Sequence, residues 1–320
     1  MWKTILRRII LMIPQIFILS IIVFLLGAML PGDALTGLID PTISAEQIAR
    51  QRELLGLNKP WPERYIDWIS KAIRGDFGRS FAHKMPVTKI IGLRIWNTLW
   101  LSILTVILTY LIALPLGLFA GRYQYSGFDR FVNLYNFISY SIPTFVLGLL
   151  MLWLFGYTLG WFPTRGTIGS GVEVGTLSHS LSRLYHMILP AITLALLSTT
   201  GTIQYLRTGV IDAKTQDYVR TARAKGVPEE KIYSRHIFRN SLLPIASFMG
   251  YTLTGLISGS VITETIFTYQ GMGDLFITSI TGRDFSVMTA LVLLFGLMTL
   301  LGTLLSDIIM VFVDPRIRIQ

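Results

Sequence analysis

Long runs of residues without charge constrain this chain more than any other feature. A helix advances about 1.5 Å per residue, so roughly 20 apolar residues cross a hydrocarbon layer about 30 Å thick. Six stretches meet that length: residues 9–30, 98–120, 132–155, 187–206, 242–267 and 289–312. Periodicity says little inside them, because a helix bordered by lipid and by other helices is apolar all round. Composition agrees: 52% of the 320 residues are hydrophobic and 14% charged, against roughly 25% charged in soluble domains. That balance excludes a disordered chain, a nucleic-acid-binding domain and an ordinary soluble enzyme. The net charge of +10 therefore reads as basic loops held on the cytoplasmic side of a membrane. With no cysteine there is no disulfide framework, thiolate nucleophile or Cys-based metal site.

Lys and Arg placement gives the orientation. Lys3, Arg7 and Arg8 precede the first run, and Arg122 and Arg130 follow the second. Arg207, Lys214, Arg220, Arg223, Lys225, Lys231, Arg235 and Arg239 follow the fourth, and Arg316 and Arg318 close the chain. The two short loops on the other side hold only Arg165, Arg183 and Arg283. The loop 31–97 is too long for its charges to set topology. Both termini are thus expected in the cytoplasm, with 31–97 outside. The first run is too long for a signal-peptide core and lacks an A-x-A-like site, so it reads as an uncleaved helix. The expected organisation is a tail and first span (1–30), an extracytoplasmic loop (31–97), a transmembrane domain (94–312, including a loop near 212–241) and a short cytoplasmic tail (313–320). Pro14, Pro115, Pro143 and Pro190 interrupt the runs. They fit either hinges around a pathway or the ordinary frequency of proline in membrane helices. Gly255, Ser258, Gly259 and Ser260 suit close helix packing.

No G-x-x-x-x-G-K-[ST] loop, G-x-S-x-G elbow or H-E-x-x-H motif occurs, so the chain has no visible means of hydrolysing ATP or of serving as an enzyme. His179 and His186 could share a helix face, but no third metal ligand lies near them in sequence, and His83 and His236 are isolated. Glu264 and Asp307 are the carboxylates near span ends; either can be solvated or paired. An ion-coupled transporter would carry more buried carboxylates, so the energy source is expected elsewhere.

The longest cytoplasmic segment runs Asp217-Tyr-Val-Arg-Thr-Ala-Arg-Ala-Lys-Gly226-Val-Pro-Glu-Glu-Lys. A first helix is predicted to end at Gly226, which suits a left-handed C-cap. Pro228, Glu229 and Glu230 then open a second, with proline and carboxylates in its first turn. The result is a helical elbow beneath the bundle, with Ala222 and Ala224 keeping its surface low enough for a partner. A solvated loop that merely fixes topology is the alternative.

This segment resembles the EAA loop in permease subunits of binding-protein-dependent ABC importers. Arg220 and Thr221 stand where Glu and Ala are usual, and the interval from Gly226 to Pro244 is longer. Both features are typical of the dipeptide/oligopeptide/nickel branch, whose form is close to D-Y-[VI]-R-T-A-[RK]-A-K-G. Further matches to its B-type subunit run along the chain: Pro31-Gly32-Asp33, Leu55-Gly56-Leu57-Asn58-Lys59-Pro60, Gly75-Asp76-Phe77-Gly78-Arg79-Ser80, Leu159-Gly160-Trp161-Phe162-Pro163, Glu264-Thr265-Ile266-Phe267 with Gly271-Met272-Gly273 and Arg283-Asp284, and Asp307 with Asp314-Pro315-Arg316-Ile317-Arg318. The resemblance implies an all-α type I importer permease with six transmembrane helices in a bacterial or archaeal cytoplasmic membrane. It implies a coupling surface of Arg220, Thr221, Ala222, Arg223, Ala224, Lys225, Gly226 and Val227. It also implies a second, C-type permease, two ATPase subunits that bind ATP and Mg, and an extracytoplasmic peptide-binding protein. The chain itself would hold no cofactor, catalytic residue, metal or nucleic acid. Its cargo would be a dipeptide or oligopeptide, the alternatives being nickel or another small solute. Trp61, Tyr65 and Trp68 in the outer loop would anchor the binding protein or form the loop's own small core.

Overall fold

The computed structural model describes residues 2–29 and 58–313, together with 46, 50 and 53. Pro31-Gly32-Asp33, Leu55-Gly56-Leu57 and the tail from Asp314 therefore lie outside the described residues. Among those described, the regular structure is helical apart from one bridge between Arg79 and Pro86. The long helices are α1 (Trp2–Met29), α3 (Val87–Arg122), α6 (Leu177–Lys214), α10 (Leu243–Gly259) and α13 (Phe285–Val313). Shorter ones join them: α2 (Trp61–Ile73), α4 (Gly127–Ser141), α5 (Thr144–Met151), α7 (Asp217–Ala224), α8 (Glu229–Lys231), α9 (Phe238–Ser241), α11 (Val261–Ile266) and α12 (Met272–Thr281). The helix widens into π turns over Leu152–Thr158 and Ile232–Ile237.

Five of the six expected spans are membrane-length apolar helices, the fifth continuing from α10 into α11 with a break at Ser260. Several run past the expected limits, because composition marks the hydrocarbon layer and not the helix ends. The third span is different. It is α4 and α5, meeting at 102°. Pro143 lacks a backbone donor, and its ring pushes Ile142 out of the helical region; Ile142 sits at φ −85°, ψ 121°. By contrast Pro14, Pro115 and Pro190 are carried inside continuous helices.

Small residues set the closest helix contacts, as expected where packing without a hydrophobic driving force holds helices together. Gly117 and Gly121 bring α3 onto α6: a Cβ on Gly117 would lie 2.9 Å from Leu206 Cβ, and one on Gly121 2.7 Å from Val210 Cβ. Between α10 and α13, a Cβ on Gly250 would lie 2.8 Å from the Gly302 carbonyl oxygen. The Tyr251 amide there donates to Ser306 Oγ at 2.9 Å. Of the small residues singled out in the fifth span, Ser260 is buried, whereas a Cβ on Gly255 would meet nothing within 4 Å. At one end of the bundle Arg8 pairs with Asp307 at 2.9 Å, joining α1 to α13. At the opposite end Ser80 is clipped to Asp284 by a hydrogen bond, and the Val87 amide donates to the Gly78 carbonyl. The Gly75–Ser80 and Arg283-Asp284 motifs, 204 residues apart at their contact, are therefore one structural unit.

Candidate functional site

The elbow between α6 and α10 is built around Gly226. Its φ of +71° is left-handed, where a residue with a Cβ is penalised. The Gly226 amide donates to Arg223 O at 2.9 Å and the Val227 amide to Ala222 O at 3.1 Å. These two bonds are the Schellman closure of a helix C-terminus. Pro228 then caps α8 at φ −56°, ψ 140°, so the second helix opens where the proline and carboxylates place it. Arg223 Nε donates to Glu229 Oε1 at 2.6 Å, closing the elbow across the turn. That hydrogen bond holds the exposed Glu229 carboxyl below its usual range.

The elbow has two distinct faces. Val219 and Ala222 turn inward and bury with Ile232, Tyr233 and Ile237 against Tyr110 of α3, Leu206 and Val210 of α6 and Ile245 of α10. Ala222, expected to offer a low surface to a partner, instead seats α7 on the bundle. Arg220, Thr221, Arg223, Ala224, Lys225 and Gly226 form the exposed ridge, with Val227 half-buried beside it.

Basic side chains tie this unit to the neighbouring corner. Lys214 Nζ donates to Gly121 O at 2.8 Å, satisfying a carbonyl at the end of α3. The Arg122 guanidinium lies 4.6 Å from the centre of the Tyr233 ring. Arg207 grips Asp129 with two bonds of 2.6 and 2.8 Å, fixing α6 to the start of α4. Sequence reasoning missed the Arg207–Asp129 pair, because its partners stand 78 residues apart.

At the other end Glu264, expected to be solvated or simply paired, is fully buried. Its carboxylate accepts from Thr98 Oγ1 and Ser260 Oγ, both at 2.7 Å, and from the amides of Gly273 at 2.7 Å and Asp274 at 3.1 Å. Thr98 Oγ1 in turn accepts from the Met272 amide at 2.8 Å. The first three amides of α12, which have no partner inside the helix, are thereby satisfied. A Cβ on Gly271 would collide with the Glu264 carboxylate and Thr98 Oγ1, and one on Gly273 with the Val261 backbone. The Glu264…Gly271-x-Gly273 spacing is thus a capping device, legible in hindsight as an acid placed before a Gly-x-Gly helix start. Asn97 extends the knot, donating to Gln270 O at 2.6 Å and accepting from Arg183 at 2.8 Å.

The three outer-loop aromatics divide. Tyr65 and Trp68 pack on Phe24 of α1 at 5.5 and 5.8 Å, and the Tyr65 hydroxyl meets Ser20 Oγ at 2.8 Å. Trp61 stays exposed. His186 is held by its own helix, with Nδ1 2.7 Å from Ser182 O.

The model for binding-protein-dependent transport system inner membrane components matches residues 113–319, and the N-terminal model of such membrane components matches 1–102. The chain is 37% identical over 316 residues to the oligopeptide transport system permease protein AppB of Bacillus subtilis, spanning 98% of each chain. It is 33% identical over 318 residues to the glutathione transport system permease protein GsiC of Escherichia coli K12, spanning 99% of each. Among solved structures, an inward-facing MetNI methionine ABC transporter superposes with a TM-score of 0.55 at 17% identity, over 70% of this chain and 96% of that one. At that identity the likeness shows the fold alone.

Proposed function

The chain belongs to the family of binding-protein-dependent transport system inner membrane components, which makes it a permease subunit of an ABC importer, and we propose that its cargo is a short peptide and that the Gly226 elbow couples it to ATP hydrolysis on separate subunits. Permeases of this family work in general with a second permease, ATPase subunits and a substrate-binding protein. Here the second permease would be the C-type homologue, flanked by two ATPases and an extracytoplasmic peptide receptor in the cytoplasmic membrane.

The observation that carries the coupling role is the two-faced elbow. Its exposed ridge of Arg220, Thr221 and Arg223 to Gly226 is closed by a Schellman bond pair, and its inner face, Ala222 included, is buried against α3, α6 and α10 together. A push on the ridge therefore cannot be absorbed locally, because packed side chains transmit displacement. When ATP draws the ATPases together, the ridge would be carried with them and α3, α6 and α10 with the ridge. Peptide as cargo is supported by full-length similarity to permeases named for oligopeptide and glutathione transport.

The test uses the reconstituted complex of this chain with its second permease, ATPases and receptor. A cysteine at Ala224, on a chain with none of its own, should cross-link to cysteines in an ATPase surface groove with a yield that changes on adding nucleotide. No cross-link from any position between 220 and 227 in an active complex would remove the coupling assignment. ATP-dependent uptake of labelled di- to pentapeptides, with none of nickel, is expected; nickel uptake without peptide uptake would reassign the cargo.

A further inference from the structure

The outer-loop helix α2 is anchored deep. Arg8 pairs with Asp307 at one end of the bundle, and Ser20 lies twelve residues further along α1, a rise of about 18 Å. With about 30 Å of hydrocarbon to cross, Ser20 is still inside the layer. Yet the Tyr65 hydroxyl reaches it at 2.8 Å, and the Tyr65 ring sits between Phe17 and Phe24, at 6.5 and 5.5 Å. So α2 cannot stand free in water above the membrane.

Its sequence is sorted to match. At about 100° per residue, the helix surface divides into three arcs. One holds Trp61, Tyr65, Trp68 and Ala72, and with it the two aromatics that pack on α1 and the buried Ala72. The opposite arc is polar throughout and carries Glu63, Asp67, Ser70, Lys71 and Arg74. Asp67 is neutralised there by Lys59 at 2.8 Å. Between them lies an apolar flank of Pro62, Ile66 and Ile73, with Ile66 62% and Ile73 80% exposed. α1, on which α2 rests, likewise exposes Ile18, Ile22 and Leu26.

We propose that α2 is an interfacial helix, seated with its Pro62–Ile66–Ile73 flank in the acyl chains of the leaflet opposite Arg8 and with its charged arc at the headgroups. Its lysines and arginines have the reach to lie at that boundary, and an amphipathic helix buries its apolar face several ångströms into it. Two of the three aromatics that could have gripped a receptor are already used to hold α2 on α1. The inference does not depend on which solute is carried.

Spin labels on single cysteines at Ile66, Ile73, Asp67 and Ser70, in the complete transporter in nanodiscs of phosphatidylethanolamine and phosphatidylglycerol, test it. Labels at 66 and 73 should collide with oxygen several-fold more, and with a water-soluble nickel chelate several-fold less, than labels at 67 and 70. Equal chelate access at all four sites would place α2 in water and overturn the proposal. Labels at 66 and 73 shielded from both reagents would also overturn it, placing protein (segment 30–57 or another subunit) over this flank. ATP-dependent uptake by each single-cysteine complex is measured alongside, so a failure of the transport reading is seen separately.

Discussion

Glu264 shows how much one buried carboxylate can organise. Four donors converge on it from α3, from Ser260 at the break before α11 and from α12, and two glycines are kept small so that it fits. Removing an acceptor strands each buried donor at about 1–3 kcal/mol. Glu264→Ala should therefore lower the unfolding midpoint of the purified protein sharply. Glu264→Gln, which keeps one acceptor oxygen but brings two donors of its own, should fall between; equal midpoints for all three would show that the knot contributes nothing. Gly226 makes the opposite kind of demand, since a Cβ there would meet nothing within 4 Å and the constraint is the backbone alone. A β-branched residue at positive φ costs about 1–2 kcal/mol, too little to prevent insertion but enough to reshape the turn. Gly226→Val should abolish uptake while leaving membrane levels and receptor binding near normal; full uptake in the variant would reduce the elbow to a topogenic loop.

At the scale of elements, the elbow's turn is closed by an exposed pair, Arg223 and Glu229. Glu229's carboxyl titrates below its usual range because Arg223 hydrogen-bonds its charged form. Its stabilising effect is present above the unfolded value of about 4.3 and is lost as pH falls through the lower folded one. An exposed pair is worth at most about 1 kcal/mol. Glu229→Gln should speed hydrogen exchange at the Gly226 and Val227 amides at neutral pH, and the difference from the parent should vanish in acid; a pH-independent difference would point to packing instead. Local signals made this element legible: Gly226 and Pro228 each act on their own turn, so the helix end and the next start could be read from adjacent letters. The bend at Ile142-Pro143 was less legible, because Pro115 and Pro190 offer the same letter inside helices that stay continuous. What separates them is whether neighbouring helices hold the chain straight, and that is a tertiary property. Glu264 was visible as an intramembrane acid, but its four donors were not, since one of them lies 166 residues away. Likewise Ala222 was singled out for its size, while the side of α7 it occupies depended on where α3, α6 and α10 stand.

Across the whole molecule, the two ends are chemically unlike. One end carries Arg8, Arg122, Lys214 and the elbow with its cluster of basic residues, satisfied partly by helix carbonyls and an aromatic ring. The other carries the Glu264 knot, the Ser80–Asp284 clip and α2, held by hydrogen bonds that link distant segments. Basic residues in short loops are retained in the cytoplasm, so the elbow end is expected inside and α2 outside. Ser70 on the polar arc of α2 and Ser234 in the elbow are both exposed, and with no native cysteine either position can be read alone. In intact cells a membrane-impermeant thiol reagent should label Ser70→Cys and spare Ser234→Cys, while permeabilised cells should label both. The opposite pattern in intact cells would invert the molecule. It would also place the elbow where no cytoplasmic ATPase could reach it, so the same measurement bears on orientation and on coupling.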